Sequence, residues 1–319
     1  MNKKSIPLFN RIMRSFIPFI LFLVMAFSPA LAQETLTGPY LGQTPPGATP
    51  VVFAPGFISM PGRFDFCGSF SPDGREFYFS VSNPDWSGNS IMCTRMNSDG
   101  SWSNPTVMPF SGFDVDWSVY LSNDGQRLFF SSGRPNQSWN VDIWVCDRTD
   151  DGGWSDPVPF ALNTPFSDFP GPTTKDGTLY FASRSEQPGS VGIFRTRPVN
   201  GQYKEAEKLP YPVNTDSLRD GSPCIAPDES YLLFASTRDG SAYNDLYIGV
   251  PKPDGSWQVA NLGSPINTEK NENLPFLSPD GKYLFFTRDN GRDAVNREVD
   301  LYWVGTGVID SLVTALSIK

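Results

Sequence analysis

Histidine is absent from all 319 residues. That absence excludes a serine or cysteine nucleophile activated by imidazole, and it excludes imidazole-ligated zinc, manganese or haem. Any chemistry falls to carboxylates, tyrosine, lysine, arginine or the backbone. Cysteine is scarce, with only Cys67, Cys93, Cys146 and Cys224. Their spacing matches no metal site. Four cysteines in an exported chain allow three disulfide pairings, but the plainer expectation is four buried apolar side chains. No stretch carries a sustained 3.6-residue apolar period bounded by caps, so long helices are not expected. Long apolar runs are missing too. The one from Phe16 to Phe27 has 12 residues, where a transmembrane helix needs about 20.

That short run has a different meaning. It follows Lys3, Lys4, Arg11 and Arg14 and ends at the small residues Ala30 and Ala32. Basic start, apolar middle and small-residue end make a secretory signal peptide over residues 1–32, cut before Gln33. Residues 33–319 are then the folded part, and no cysteine follows the cut to carry a lipid. Removing four positive charges and no negative ones takes the net charge from −9 to about −13. The expected product is an exported, periplasmic or secreted monomer, with no membrane insertion after cleavage. An acidic protein is a poor partner for nucleic acid or anionic lipid and a better one for cations, neutral sugars or basic peptides.

What is abundant is turn-forming residues, 30 prolines and 28 glycines, and a phrase that returns. It reads Ser71-Pro72-Asp73-Gly74, Ser122-Asn123-Asp124-Gly125, Thr174-Lys175-Asp176-Gly177, Ala226-Pro227-Asp228-Glu229 and Ser278-Pro279-Asp280-Gly281. The aspartates lie 51, 52, 52 and 52 residues apart. A fixed period of this size marks an array of identical supersecondary units. Each phrase separates two short apolar runs, as in Val119-Tyr120-Leu121 and Leu128-Phe129-Phe130, which reads as an antiparallel hairpin. A third run follows (Val141–Val145). Then comes a second tight turn, at Asp99-Gly100, Gly152-Gly153, Asn200-Gly201 or Asp254-Gly255. The aromatic after it (Trp102, Trp154, Tyr203, Trp257) is expected to open a fourth strand. Four antiparallel strands per unit make a propeller blade. Unit five stops after its third strand, while Pro50-Val51-Val52-Phe53 looks like an orphan fourth. The fold class expected is all-β: a five-bladed β-propeller of four-stranded antiparallel blades whose N-terminal strand closes the last blade, with a six-bladed ring as the alternative.

The phrase Ser-Pro-Asp-Gly, the aromatic strand after it and Asp300-Leu301-Tyr302 together resemble the TolB-like β-propeller repeat family, with its WD-like Pro-Asp repeats. The likeness covers nearly the whole of residues 33–319. Such propellers include periplasmic translocation factors, peptidase gating domains, glycan lyases and many uncharacterised proteins, so the resemblance implies a fold more than an activity. Lyases of the metal–histidine kind are excluded by composition. Two departures stand out: Glu229 replaces the phrase's glycine in unit four, and unit one lacks the arginine described next.

Eight residues before each repeat aspartate stands an acid: Asp65, Asp116, Asp168, Asp220 and Glu272. At the start of innermost strands these would ring the mouth of the central channel, where like charges repel. Arg134, Arg184, Arg238 and Arg288 follow the second strands of units two to five. They are expected near the acids, as an arginine–carboxylate ladder or as part of a ligand site. Loops between second and third strands break the repeat with Trp86, Trp139 and Tyr243 beside amides, a composition suited to stacking on a glycan. No cofactor is expected, with calcium at the channel mouth the single candidate ion. The function expected is an exported, non-catalytic module that binds a glycan, peptide or envelope protein. The alternative is a glycan hydrolase whose acid/base pair comes from Asp116, Asp168 and Glu272.

Overall fold

The computed structural model describes residues 35–187, 189–215, 218–240, 242–291 and 296–318. The expected signal segment lies outside them. Five four-stranded antiparallel sheets follow one another along the chain. Their strands are Phe64–Phe70, Glu76–Ser82, Ser90–Arg95 and Thr106–Val107 in blade 1, and Asp116–Leu121, Arg127–Ser132, Asp142–Asp147 and Val158–Pro159 in blade 2. Blade 3 has Asp168–Thr173, Leu179–Arg184, Val191–Thr196 and Glu207–Lys208; blade 4 has Asp220–Ile225, Leu232–Ser236, Asp245–Pro251 and Trp257–Asn261. Blade 5 has Asn271–Leu277, Tyr283–Asp289 and Val299–Gly305, and its fourth strand is Val51–Val52. Val51 lies opposite Trp303 and Val52 opposite Tyr302. Each first strand touches the first strand of the next blade, and that of blade 5 touches that of blade 1. The ring is closed, with five blades.

The aromatic second strands explain how the blades pack. Successive side chains of a strand point to opposite faces. Phe77 and Phe79 therefore enter the core shared with blade 5, while Tyr78 enters the core shared with blade 2. Leu128 and Phe130 face blade 1, and Phe129 faces blade 3. Both faces of every blade are covered, so the strands read as continuous apolar runs rather than alternating ones. Each of the five seams holds its own hydrophobic cluster.

The repeat phrase is a turn held by its own side chains. Ser71 Oγ donates to Asp73 at 2.6 Å and accepts the Glu76 N–H at 2.8 Å. Ser122 and Asp124 repeat this. Glu229, in the glycine's place, adopts the same left-handed conformation (φ 59°). Its carboxylate accepts the Tyr180 hydroxyl at 2.9 Å.

Two elements differ from the sequence expectation. The aromatic after the second turn opens the fourth strand only in blade 4, at Trp257. Trp102 and Trp154 form isolated bridges with Met96 and Arg148, and Tyr203 belongs to a small hairpin, Pro198–Val199 with Gln202–Tyr203. In blades 1 and 2 the paired strand starts after Pro105 and Pro157, because a proline in between cannot donate to the ladder. The second difference is a helix, Gly307–Ile318. Its Ile309, Leu312, Val313 and Leu316 pack on the core between blades 4 and 5. Lys252 donates to the carbonyl of Leu316 at 2.6 Å, near the helix end.

Candidate functional site: an aromatic funnel inside a ring of bonded acids

The five acids begin, or nearly begin, the five first strands, and all five are fully buried. Their hydrogen bonds explain why burial is tolerated. Asp116 accepts from Arg134 at 2.8 Å and from Ser111 Oγ at 2.9 Å. Asp220 accepts from Arg238, Ser236 and the N–H and hydroxyl of Thr215. Glu272 accepts from Arg288 and Thr268. Each arginine also donates to carbonyls of the connection entering its blade: Arg134 to Phe110, Arg238 to Pro212 and Val213, Arg288 to Pro265 and Ile266. Two rings flank each guanidinium, such as Phe234 and Tyr247, both 4.9 Å from Arg238. The pairs thus lie within blades and pin the incoming connections. Asn163, Asn214 and Asn267 support them by accepting from and donating to the backbones of Ile143, Ile193 and Leu246.

Blade 1 obtains its arginine from outside the repeat. Arg63, two residues before Asp65, bonds it at 2.7 Å, and the Met60 N–H adds a bond at 2.9 Å. Burial nevertheless pushes the Asp65 carboxyl up to about 7, with Arg63 pulling the other way.

Blade 3 breaks the pattern. Asp168 lies opposite Ser183 in the pairing register and accepts from the N–H and hydroxyl of Thr164. Burial raises its pKa, with Ser183 and Thr164 opposing. Arg288 sits directly opposite Glu272. Arg134 and Arg238 sit two residues beyond the partners of their acids, Ser132 and Ser236. Arg184 sits one residue beyond, so strand alternation sends it to the other face. It does not meet Asp168. It is exposed, lies 5.8 Å over the Phe169 ring and lines the central cavity.

The same alternation builds that cavity. The residue after each acid faces the channel: Phe66, Trp117, Phe169, Gly221 and Asn273 all line it. One residue further on, Cys67, Ser118, Ser222 and Leu274 adopt positive φ (46°, 51°, 50° and 51°) where the pairing register slips. An inner chamber of about 220 Å³ opens into a wider funnel of about 880 Å³. Trp86, Trp117 and Trp139 form a row, with ring centroids 6.1 and 5.7 Å apart. Trp139 is half exposed at its outer end. Tyr243, Asn244 and Asn271 line the far side. Arg297 closes one wall, bonded twice to Asp289 and lying 5.4 Å over Trp86.

Trp86, Trp139, Tyr243 and Arg184 therefore gather at the funnel, whereas the five acids and Arg134, Arg238 and Arg288 stand behind its wall. Sequence reasoning overlooked Trp117, Phe169 and Asn273, although reading one position past each acid would have found them. It also overlooked Arg63, which lies outside the repeat. Among the described residues, no group of three or more acids and cysteines is gathered closely enough to hold a metal ion.

No protein family description and no curated protein matches the sequence. Solved structures do. A protein assigned as TolB from Agrobacterium tumefaciens is 18% identical, with TM-score 0.50, over 75% of this chain and 76% of that one. The chain has a TolB-like propeller fold. TolB from Acinetobacter baumannii is 15% identical at TM-score 0.47, and this TolB-like propeller spans only 56% of its length. An α-L-arabinofuranosidase from Lactobacillus brevis is 13% identical, with TM-score 0.50, over 75% of this chain and 90% of that one.

Proposed function

We propose that the chain is an exported, non-catalytic binding module, a signal peptide over 1–32 followed by a propeller over 33–319, that takes a peptide segment in its central funnel. The observation carrying this reading is the composition of the funnel. Phenylalanines, tryptophans and small apolar residues form most of the inner chamber's wall, the outer funnel adds asparagines and the Arg297–Asp289 pair, and the five repeat carboxylates that hydrolysis would need are buried behind the wall, bonded to arginine, threonine and serine. A sugar hydroxyl left against an apolar wall loses its water without a partner; an apolar peptide side chain does not.

A carbohydrate chain is the second reading, favoured by the row of three tryptophans flanked by asparagines. Titration with peptide and oligosaccharide panels, followed by intrinsic tryptophan fluorescence, separates the two. Peptides are expected to shift the emission, and Trp139→Ala to weaken binding by about 1–2 kcal/mol. Binding of oligosaccharides alone would replace the peptide reading. Turnover of a glycoside, lost in Asp116→Asn or Glu272→Gln, would restore the hydrolase.

A further inference from the structure

We infer that the funnel recognises the free carboxyl terminus of a peptide with an apolar last residue, its carboxylate paired with Arg184 and its last side chain in the inner chamber. This rests on the peptide-module reading above and adds the chemistry of the ligand. Four arginines of the repeat could have been equivalent, and three are fixed by an acid, a loop carbonyl and two rings. The one-residue offset in blade 3 releases Arg184 from that arrangement, and Thr164 satisfies the acid it leaves. Arg184 belongs to both the inner chamber and the outer funnel, so it stands where they meet. Among the described residues no carboxylate pairs with it; its contact is the Phe169 ring. A guanidinium so placed offers a planar fork that a carboxylate matches with two parallel bonds.

Below it the inner chamber is mostly apolar. Phe169, Pro170, Ala182, Val191, Ala235 and Leu274 line it. This suits one leucine- or phenylalanine-sized side chain and would leave a charged one unpaired. Arg219 lines the same space, and Arg297 with Asp289 lies further out. Exposed Arg184 thus presents a positive charge where chamber and funnel meet, in a chain of net charge −9. Overall acidity suits cations, neutral sugars or basic peptides; Arg184 suits an anionic group.

The test uses the full chain and N-acetylated hexapeptides ending in Leu, Phe, Ser or Glu, each as free acid and as carboxamide, titrated calorimetrically at low and high salt. Free acids ending in Leu or Phe are expected to bind ~10-fold more tightly than their amides, a gap that salt narrows. Arg184→Gln should collapse that gap, and Arg184→Lys should keep part of it. Equal binding of acids and amides overturns the carboxylate inference while leaving a peptide module in place. A gap that persists in Arg184→Gln, or tightest binding by the Glu-ended acid, also overturns it. If no peptide binds in either form, both the inference and the reading beneath it fall.

Discussion

Arginine plays two opposite parts in this molecule, and one step of register separates them. Arg238 supports a buried carboxylate, whereas Arg184 lies exposed over one aromatic ring. Arg238→Met would leave Asp220 buried beside only hydroxyl and amide donors, at a cost of about 3–5 kcal/mol. Arg184→Gln should change stability by less than about 0.5 kcal/mol. Urea midpoints of the two variants check the contrast, and similar losses would contradict the assignment. Asp65 supplies the second test at this scale. Its carboxyl titrates near 7 when folded and near 4 when unfolded, so the folded state holds the proton more tightly. The resulting stability is complete below about pH 4 and lost as pH rises through about 7. Wild type should lose stability relative to Asp65→Asn across that range. Parallel curves would show that Arg63 holds Asp65 ionised throughout. The sequence exposed the acids through their fixed distance from the turn aspartate. It hid their partners, because Arg134 and Arg238 lie ten residues after that aspartate while Arg184 and Arg288 lie eight after it. Arg288 still reaches its acid and Arg184 does not. Only the pairing register distinguishes the two.

At the scale of elements, blades were legible and their outer edges were not. Second strands carry large apolar side chains on both faces, so the pattern Phe-Tyr-Phe or Leu-Phe-Phe is unambiguous. Fourth strands are mostly two residues long and carry too few side chains to show any period, so nothing in the sequence separates them from the isolated bridges at Trp102 and Trp154. The helix Gly307–Ile318 was missed for a related reason. Its Val308, Ile309, Val313 and Thr314 favour extended backbone on their own, and only packing against blades 4 and 5 settles it as helix. The closing strand is the element that best repays a test. Phe53, beside it, is fully buried among Phe70, Phe77, Phe285 and Trp303, with ring centroids 5.0–6.2 Å away. Phe53→Ala should cost about 3–5 kcal/mol, read as a fall in the thermal midpoint. A cost near zero would mean that the seam between blades 5 and 1 does not depend on the N-terminal segment.

At the scale of the whole molecule, the ring leaves none of the four cysteines accessible. Cys67, Cys93, Cys146 and Cys224 are all buried and unpaired, and burial pushes each thiol up to about 12. A thiol-reactive reagent near neutral pH should modify none of them in the folded protein and all four in denaturant, because the thiolate is the reacting species. Under native conditions the labelling rate should follow opening of the ring. Fast labelling of a single cysteine would reveal one seam that opens by itself.

Chain order gives the seal made by Val51 and Val52 a further consequence. The segment synthesised ahead of every blade is the one used to complete the last, so it waits until Val299–Gly305 exists before it can pair. Until then the ring cannot close, and a chain cut short before that point lacks the strand that Val51 and Val52 seal against.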